Sequence, residues 1–184
     1  DFTISNDRLL IKNYLKELGY YFSEVETIVE NLDNNLVKVI HKIEIGNKAK
    51  IKKISFIGDK KIKDKKLLRV IASEEHKFWK FLSKKVYLNQ SLVDLDVRLL
   101  QNYYKNLGYY DIKIENTVAE FDKNGFFELV FTINSGEEYF FNNLNLDLPE
   151  DYNQKDFQEL NELFVELKDT KYSLEKLNRI LTQI

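Results

Sequence analysis

One short pattern occurs twice in this chain. The stretch "YLKELGYYFSEVE" covers Tyr14–Glu26, and "YYKNLGYYDIKIE" covers Tyr103–Glu115. In both copies a run with helical spacing ends at a glycine, which two tyrosines follow. A catalytic motif is rarely duplicated within one chain, whereas a structural module often is. The pattern therefore predicts a fold built from repeated modules.

The repeat extends beyond this pattern. When Gly19 is aligned with Gly108 the flanking residues also match at an offset of 89, and further along Gly46 falls over Gly136 at an offset of 90. Solenoid repeats have shorter periods of about 20–50 residues. A period near 90 therefore indicates small tandem domains.

The periodicities inside one period predict its secondary structure. "KIKKISFIG" (Lys50–Gly58) is typical of a strand that stops at a glycine, and Asp64 then stands where a helix would be capped. A second helix is predicted over "SLVDLDVRLLQNYYKNLG", with Ser91 and Asp94 as a capping box. Two alternating stretches joined by "DKNG" predict a closing hairpin. The order strand, helix, helix, strand, strand indicates the α+β class.

This template divides the chain into three segments. Residues 1–46 would be the C-terminal part of one module, with a helix and strands at about 20–30 and 36–45. Residues 47–135 would be a complete module. Residues 136–184 would open the next one with a strand at Tyr139–Leu146 and helices around Lys155–Glu166 and Ser173–Ile184. The missing initiator methionine also indicates a piece of a longer protein.

Composition argues against an enzyme. The chain has no cysteine, which excludes thiolate zinc sites and disulfides, and its two histidines are far apart in sequence. No phosphate-binding glycine loop, dinucleotide fingerprint or nucleophile motif is present. We therefore expect no catalytic residue, no metal and no cofactor.

Charge gives little support to a nucleic-acid-binding module, which is a remote alternative. The net charge is −2, although residues 48–69 are rich in lysine and residues 137–169 are rich in carboxylates. Single-stranded nucleic acid is bound where aromatic side chains accompany lysine and arginine on one face. The lysines here are not accompanied by aromatic residues, so we expect no nucleic-acid partner.

Several motifs, in this order, resemble the POTRA domains of the BamA/Omp85 outer-membrane assembly family. They are "FIGDKKI" at the end of the first strand, the connector "FWKFL", the helix "DLDVRLLQNYY" and the "GYY" end. The connector looks most like that of the third POTRA. The chain would then run from the end of the second POTRA into the fourth.

The resemblance implies a periplasmic arm at the outer membrane, carried by a β-barrel that these residues do not contain. Its implied partners are unfolded outer-membrane proteins, accessory lipoproteins and a periplasmic chaperone. It also implies a three-stranded mixed sheet in the order 1-3-2, which two helices cover and in which the second strand lies at an edge. A POTRA arm of another Omp85-type transporter, such as a two-partner secretion pore, is the nearer alternative.

An edge strand can bind an extended chain through its unpaired backbone groups, largely whatever the sequence of that chain. In the complete module this edge is predicted over Tyr110–Glu120, with a weaker counterpart at Tyr21–Val29. Charged residues on an edge can instead block such pairing. The candidate binding residues are Tyr110, Asp111, Ile112, Lys113, Ile114, Glu115, Asn116, Thr117 and Val118.

The connector holds a dense aromatic cluster of Phe78, Trp79 and Phe81. If it is exposed, the cluster marks a partner site. If it is buried, it fills the gap between two helices, which is the commoner use of such residues. Four glycines are expected to have structural roles at element ends: Gly19, Gly58, Gly108 and Gly136.

Overall fold

A computed structural model describes residues 2–79, 82–122, 124–149 and 151–182. The N-terminal stretch consists of helix α1 (Phe2–Glu17) and an antiparallel pair, β1 (Glu24–Asn31) and β2 (Val37–Glu44). Their register runs from Glu24 opposite Glu44 to Asn31 opposite Val37. The helix and both strands predicted here are confirmed. The first strand begins at Glu24, so Tyr21 and Phe22 lie before it.

The central stretch has the predicted order of elements. Strand β3 (Lys50–Asp59) is followed by α2 (Asp64–Val70), a 3-10 turn at Lys84–Val86, and α3 (Gln90–Lys105). Strands β4 (Lys113–Phe121) and β5 (Phe126–Asn134) close the stretch as a hairpin. The sheet order is β3-β5-β4, and the α+β class with a three-stranded mixed sheet is confirmed.

Strand β5 is the middle strand of this sheet, and its side chains alternate as a half-buried strand requires. The inward positions are fully or almost fully buried: Phe127, Leu129, Phe131 and Ile133. Hydrophobic burial of this order stabilises a fold by about 1.5–3 kcal/mol for each large side chain. Because β5 is central, β4 is left at one edge of the sheet, where the resemblance placed the second strand.

The predicted strand at Tyr139–Leu146 is wrong. Only an isolated bridge between Phe140 and Lys171 forms there, and residues 141–149 have no regular structure. A strand is held by hydrogen bonds to a neighbour along its length, and in the described residues the backbone bonds from this segment to residues 169–172 involve only Tyr139 and Phe141. The two helices that follow are confirmed as α4 (Gln158–Leu167) and α5 (Leu174–Leu181), with a 3-10 turn at Gln154–Phe157. The two helices and Phe141 form one hydrophobic core, to which the helices contribute Leu160, Leu163, Leu167 and Ile180.

The chain divides into two compact units, and both are discontinuous in sequence. One consists of residues 1–55, 71–96 and 118–130. The other consists of residues 56–70, 97–117 and 131–184. They are called unit 1 and unit 2 below. Each strand of the three-stranded sheet contributes residues to both units.

Candidate partner-binding site

Strand β4 is a sheet edge with free backbone groups. It lies beside β5 on one side only. In the part of the chain that the structure describes, no other segment hydrogen-bonds to the backbone of its outer side. Unpaired N–H and C=O groups in a row are the template on which a further strand can form.

The opposite edge of the sheet, formed by β3, is covered by the segment that follows α2. The amide of His76 donates a 2.7 Å hydrogen bond to the Ile51 carbonyl, and the Ile54 amide donates a 3.1 Å bond to the Glu75 carboxylate. Lys50 forms an isolated antiparallel bridge with Tyr87. Because these groups are paired within the chain, the two edges of the sheet differ in what they can offer to a partner.

The N-terminal part of the predicted edge is corrected by the structure. Tyr110, Asp111 and Ile112 lie in a turn before β4, where the Ile112 amide donates to the Tyr109 carbonyl. Ile112 is buried, with 6% of its surface exposed. Tyr110 packs edge-on against the rings of Tyr139 and Tyr172. These three residues are held by their own unit, so the edge begins at Lys113.

The remaining predicted residues, Lys113 to Val118, all lie on β4. Ile114 and Thr117 are half-buried, and the other four are exposed: Lys113, Glu115, Asn116 and Val118. The carboxylate of Glu115 accepts a 3.0 Å hydrogen bond from Asn134 on the neighbouring strand β5. Asp111 is likewise engaged, since it accepts a hydrogen bond from the Tyr139 hydroxyl, which raises the pKa of that tyrosine. The carboxylates of Asp111 and Glu115, which could have blocked strand pairing, are therefore both engaged by groups of unit 2.

The aromatic cluster is on the surface at the two positions that the structure describes. Phe78 is 83% exposed and Trp79 is 60% exposed, and their rings meet edge-on at 4.5 Å. The ammonium of Lys77 lies 5.7 Å from the Trp79 ring. Phe81 lies outside the described residues. The interpretation of Phe78 and Trp79 as a plug between helices is therefore wrong, and they form an exposed aromatic pair.

A family model decides what kind of domain carries this edge. The POTRA model, described as "Surface antigen variable number repeat", matches residues 49–136. Residues 49–136 belong to the POTRA family. The resemblance inferred from the sequence motifs is confirmed, because curated relatives and solved structures of the BamA type also match.

The relatives are longer proteins. The chain is 24% identical over 157 residues to "Outer membrane protein assembly factor BamA" of Neisseria meningitidis serogroup B, covering 85% of this chain and 19% of that protein. It is 27% identical over 143 residues to the protein of the same name from Buchnera aphidicola, covering 74% of this chain and 23% of that protein. The chain thus spans about a fifth of these relatives' length.

A solved structure has the same fold. The crystal structure of Haemophilus influenzae BamA POTRA3-5 superimposes with a TM-score of 0.57 at 15% sequence identity. The match covers 97% of this chain and 67% of that one. At this level of identity the similarity concerns the fold alone.

In each unit of the chain the duplicated glycine–tyrosine pattern lies at a joint, which here means the contact between a helix end and the segment that follows it. In unit 1, Gly19 ends α1 with φ of +91°, and its carbonyl accepts a 3.0 Å hydrogen bond from the Ala49 amide at the start of β3. The Lys48 ammonium lies between two rings, 4.9 Å from the centroid of Tyr20 and 5.1 Å from that of Tyr87. Sequence reasoning missed this lysine, although it lies in the short link between the two predicted modules.

In unit 2, Gly108 has φ of +102°, and its carbonyl accepts a 2.8 Å hydrogen bond from the Tyr139 amide. Here an ion pair takes the place of the stacked lysine. The Glu138 carboxylate accepts from Lys171 at 2.9 Å and from the Tyr109 hydroxyl at 3.1 Å. The hydrogen bond from Lys171 lowers the pKa of Glu138. The second tyrosine pair therefore supports the next segment.

The residues that the structure describes form neither a metal site nor a helix that could span a membrane. Among the described residues no three histidine or acidic side chains lie together in a way that could hold a metal ion. Over the same ranges no helix is both long and apolar enough to cross a bilayer. Asp96, whose carboxylate is fully buried, is a backbone cap, since it accepts hydrogen bonds from the amides of Ala72 and Ser73 at 2.6 Å and 3.1 Å. Burial raises the pKa of Asp96.

Proposed function

We propose that this chain is a periplasmic POTRA segment of an outer-membrane β-barrel assembly factor, and that β4 binds unfolded barrel precursors by strand addition. The observation that carries the proposal is the contrast between the two edges of the sheet. The β3 edge is covered by His76, Glu75 and Tyr87 of the same chain. In the described residues the outer side of β4 has no such cover.

Strand addition suits clients that share strand character and no common motif. The backbone supplies most of the affinity in this mode, so one edge can receive many sequences. The half-buried Ile114 and Thr117 lie three residues apart, on opposite faces of β4, and each would add a modest preference for the side chain beside it on the incoming strand. No catalytic group is required for this activity.

We further propose that the exposed pair Phe78 and Trp79 docks an accessory lipoprotein or a periplasmic chaperone of the same machinery. Aromatic residues dominate the binding energy of protein interfaces, and most of this pair's surface is open to solvent. Docking here would use other residues than client binding does, since the pair belongs to the connector before α3 and the proposed client edge is β4.

The proposed domain organisation is one complete POTRA at 47–135, with the end of a preceding POTRA at 1–46 and the start of the next at 136–184. The family-model match over residues 49–136 supports the central boundaries. The proposed location is the periplasmic face of the bacterial outer membrane. The names of the curated relatives support it, since both are outer membrane protein assembly factors.

The test is an NMR titration of the 184-residue chain with an end-blocked peptide copied from a transmembrane barrel strand. We expect amide shifts concentrated in Lys113–Val118 and little change at Ile51 and Ile54 on the covered edge. The control is the same peptide with alternate backbone nitrogens methylated, which keeps the side chains and removes half of the donors. Equal binding of both peptides, or shifts without focus on β4, would contradict strand addition.

A further inference from the structure

A groove of about 530 Å³ opens in unit 1 between the end of α1 and the first turns of α3. Its apolar lining comes from Leu18, Leu92 and Leu95. Two of these leucines are open to solvent, since Leu18 is 43% exposed and Leu95 is 36% exposed. The volume lies within the range of about 300–1,000 Å³ that is typical of ligand pockets.

The lining and rim of this groove carry more positive than negative charge. Lys48, Lys84 and Lys85 line it together with one acidic residue, Glu17. The Glu17 carboxylate is already engaged, because it accepts a 2.9 Å hydrogen bond from the Ser91 hydroxyl. Lys48 is stacked between tyrosines, as described above.

The two remaining lysines of the groove lie on the surface, although the charge of Lys85 also acts on the buried Asp96 carboxylate. Lys84 and Lys85 are exposed, and within the described residues neither forms an ion pair. Their ammonium groups are therefore the cations that an incoming carboxylate would meet.

The joint of unit 2 indicates that the leucines are not needed to build such a joint. Asn89 caps α3 by accepting from the Leu92 amide, and Ser173 caps α5 by accepting from the Lys176 amide. Counted from these caps, Leu92 and Leu95 correspond to Lys176 and Arg179. One joint has cations where the other has leucines, of which Leu92 is half-buried and Leu95 is exposed. The apolar surface in unit 1 is therefore not required to build the joint.

We propose that this groove docks a short acidic segment of a partner protein, which places an apolar side chain against Leu18, Leu92 and Leu95 and its carboxylates beside Lys84 and Lys85. An apolar floor with a cationic rim complements that chemistry, whereas a phosphate or a lipid headgroup would leave the leucines exposed. The proposal goes beyond strand addition, because the groove and β4 share no residue.

The test begins with selection of a displayed random-heptapeptide library on the whole 184-residue chain. We expect the enriched peptides to combine aspartate or glutamate with leucine, isoleucine or phenylalanine. The best enriched peptide is then titrated by NMR, with shifts expected at Leu18, Leu92 and Leu95 and a weaker affinity at high salt. No enrichment, enrichment of sequences without acidic residues, or shifts elsewhere would overturn the proposal.

Matched variants separate the groove from the rest of the surface. Leu95→Ser is expected to weaken the selected peptide about tenfold, the loss expected when burial of one apolar contact is removed. Leu82→Ser, at an 84% exposed position outside the groove, should leave its affinity unchanged.

The charge requirement is tested in the same way. Neutralising both rim lysines with Lys84→Gln and Lys85→Gln should weaken binding about tenfold, whereas Lys53→Gln with Lys65→Gln should not. Equal affinity of the selected peptide for the two leucine variants and the two double lysine variants would exclude the groove as its binding site. If the barrel-strand peptide does not bind to β4 while these variants behave as expected, only the strand-addition proposal is overturned.

Discussion

The amide of Tyr139 donates a 2.8 Å hydrogen bond to the carbonyl of Gly108. The amide of Ala49 makes the equivalent 3.0 Å bond to the Gly19 carbonyl. In both places the glycine that ends a helix also accepts the amide that starts the next segment. This explains why the glycine–tyrosine pattern occurs twice, because each copy is one half of a joint between a helix end and the segment that follows.

Gly58 is expected to be far more sensitive to substitution than Gly125. Both have left-handed φ, +87° and +85°, so alanine at either site costs about 1–2 kcal/mol of unfolding free energy through backbone strain. A Cβ on Gly58 would also collide with the Ile133 carbonyl, whereas a Cβ on Gly125 meets nothing. We expect Gly58→Ala to cost about 1–3 kcal/mol more than Gly125→Ala in urea unfolding. Equal losses would contradict the close approach of β3 and β5.

The stacked lysine of the first joint should contribute to the stability of unit 1. Lys48→Gln removes the cation from between Tyr20 and Tyr87, and we expect the free energy of unfolding to fall by about 0.5–1 kcal/mol. Lys48→Arg keeps a cation there and should lose less. The exposed Lys53→Gln is the control and should be neutral. A neutral Lys48→Gln would show that the stacking adds nothing.

Asp96 is expected to matter through its acceptor oxygens. Asp96→Ala would leave the Ala72 and Ser73 amides without their partner, at a cost of about 2–4 kcal/mol. Asp96→Asn keeps one acceptor oxygen and sheds a buried charge, so its loss should be about 1 kcal/mol. Asp94→Ala, at an exposed position two residues away, is the control for the effect of alanine on helix propensity. Chemical denaturation of the three variants decides, and a larger loss for Asn than for Ala would contradict the capping role.

The turn between β4 and β5 should give a pH-dependent contribution to stability. Asp122 accepts hydrogen bonds from the Phe126 and Asn124 amides and from Lys52, which lower its pKa to about 2. Since its folded pKa is depressed below the ordinary value of 3.8, the stabilisation is present above that pH and is lost as the pH falls towards 2.

Thermal unfolding of the wild type and Asp122→Asn at stepped pH tests this prediction. The stability difference between the two proteins should be constant above pH about 4 and should vanish near the folded pKa. A difference that is independent of pH down to the acid limit would mean that the carboxylate charge has no part in holding the turn.

Trp79 should contribute to partner binding and little to the fold. Because most of its ring is exposed, Trp79→Ala is expected to change the unfolding free energy by less than about 0.5 kcal/mol. Phe56→Ala, at a buried core position, should cost about 3–5 kcal/mol and calibrates the measurement. Pull-down with the accessory lipoproteins of the machinery should then fail for Trp79→Ala. Unchanged capture would remove the aromatic pair from the proposed docking surface.

Local patterns predicted most of the fold. The strict alternation of Phe127, Leu129, Phe131 and Ile133 identifies the middle strand, since apolar residues at every second position are typical of a strand with one buried face. The helical spacing before Gly108 identifies α3. These elements are fixed by side chains that lie close together in sequence, and so the sequence alone is sufficient.

Features that depend on distant partners were missed. The sequence predicted Tyr110 and Ile112 as part of a strand. In the structure they lie in a turn, because Tyr110 packs against the rings of Tyr139 and Tyr172 and Ile112 is buried. Ser91 was expected to cap α3, whereas Asn89 does so and also donates to the Glu17 carbonyl, 72 residues away. Both residue types are good caps, so the local sequence does not decide between them.

Amide hydrogen exchange along β4 tests the central claim most directly. In the free chain, amides of Lys113–Val118 that face β5 should exchange slowly and those that face outward should exchange fast, because only one side is paired. The barrel-strand peptide should protect the outward amides and leave the inward ones as they were. Uniform slow exchange in the free chain, or outward amides that stay fast with bound peptide, would contradict strand addition at this edge.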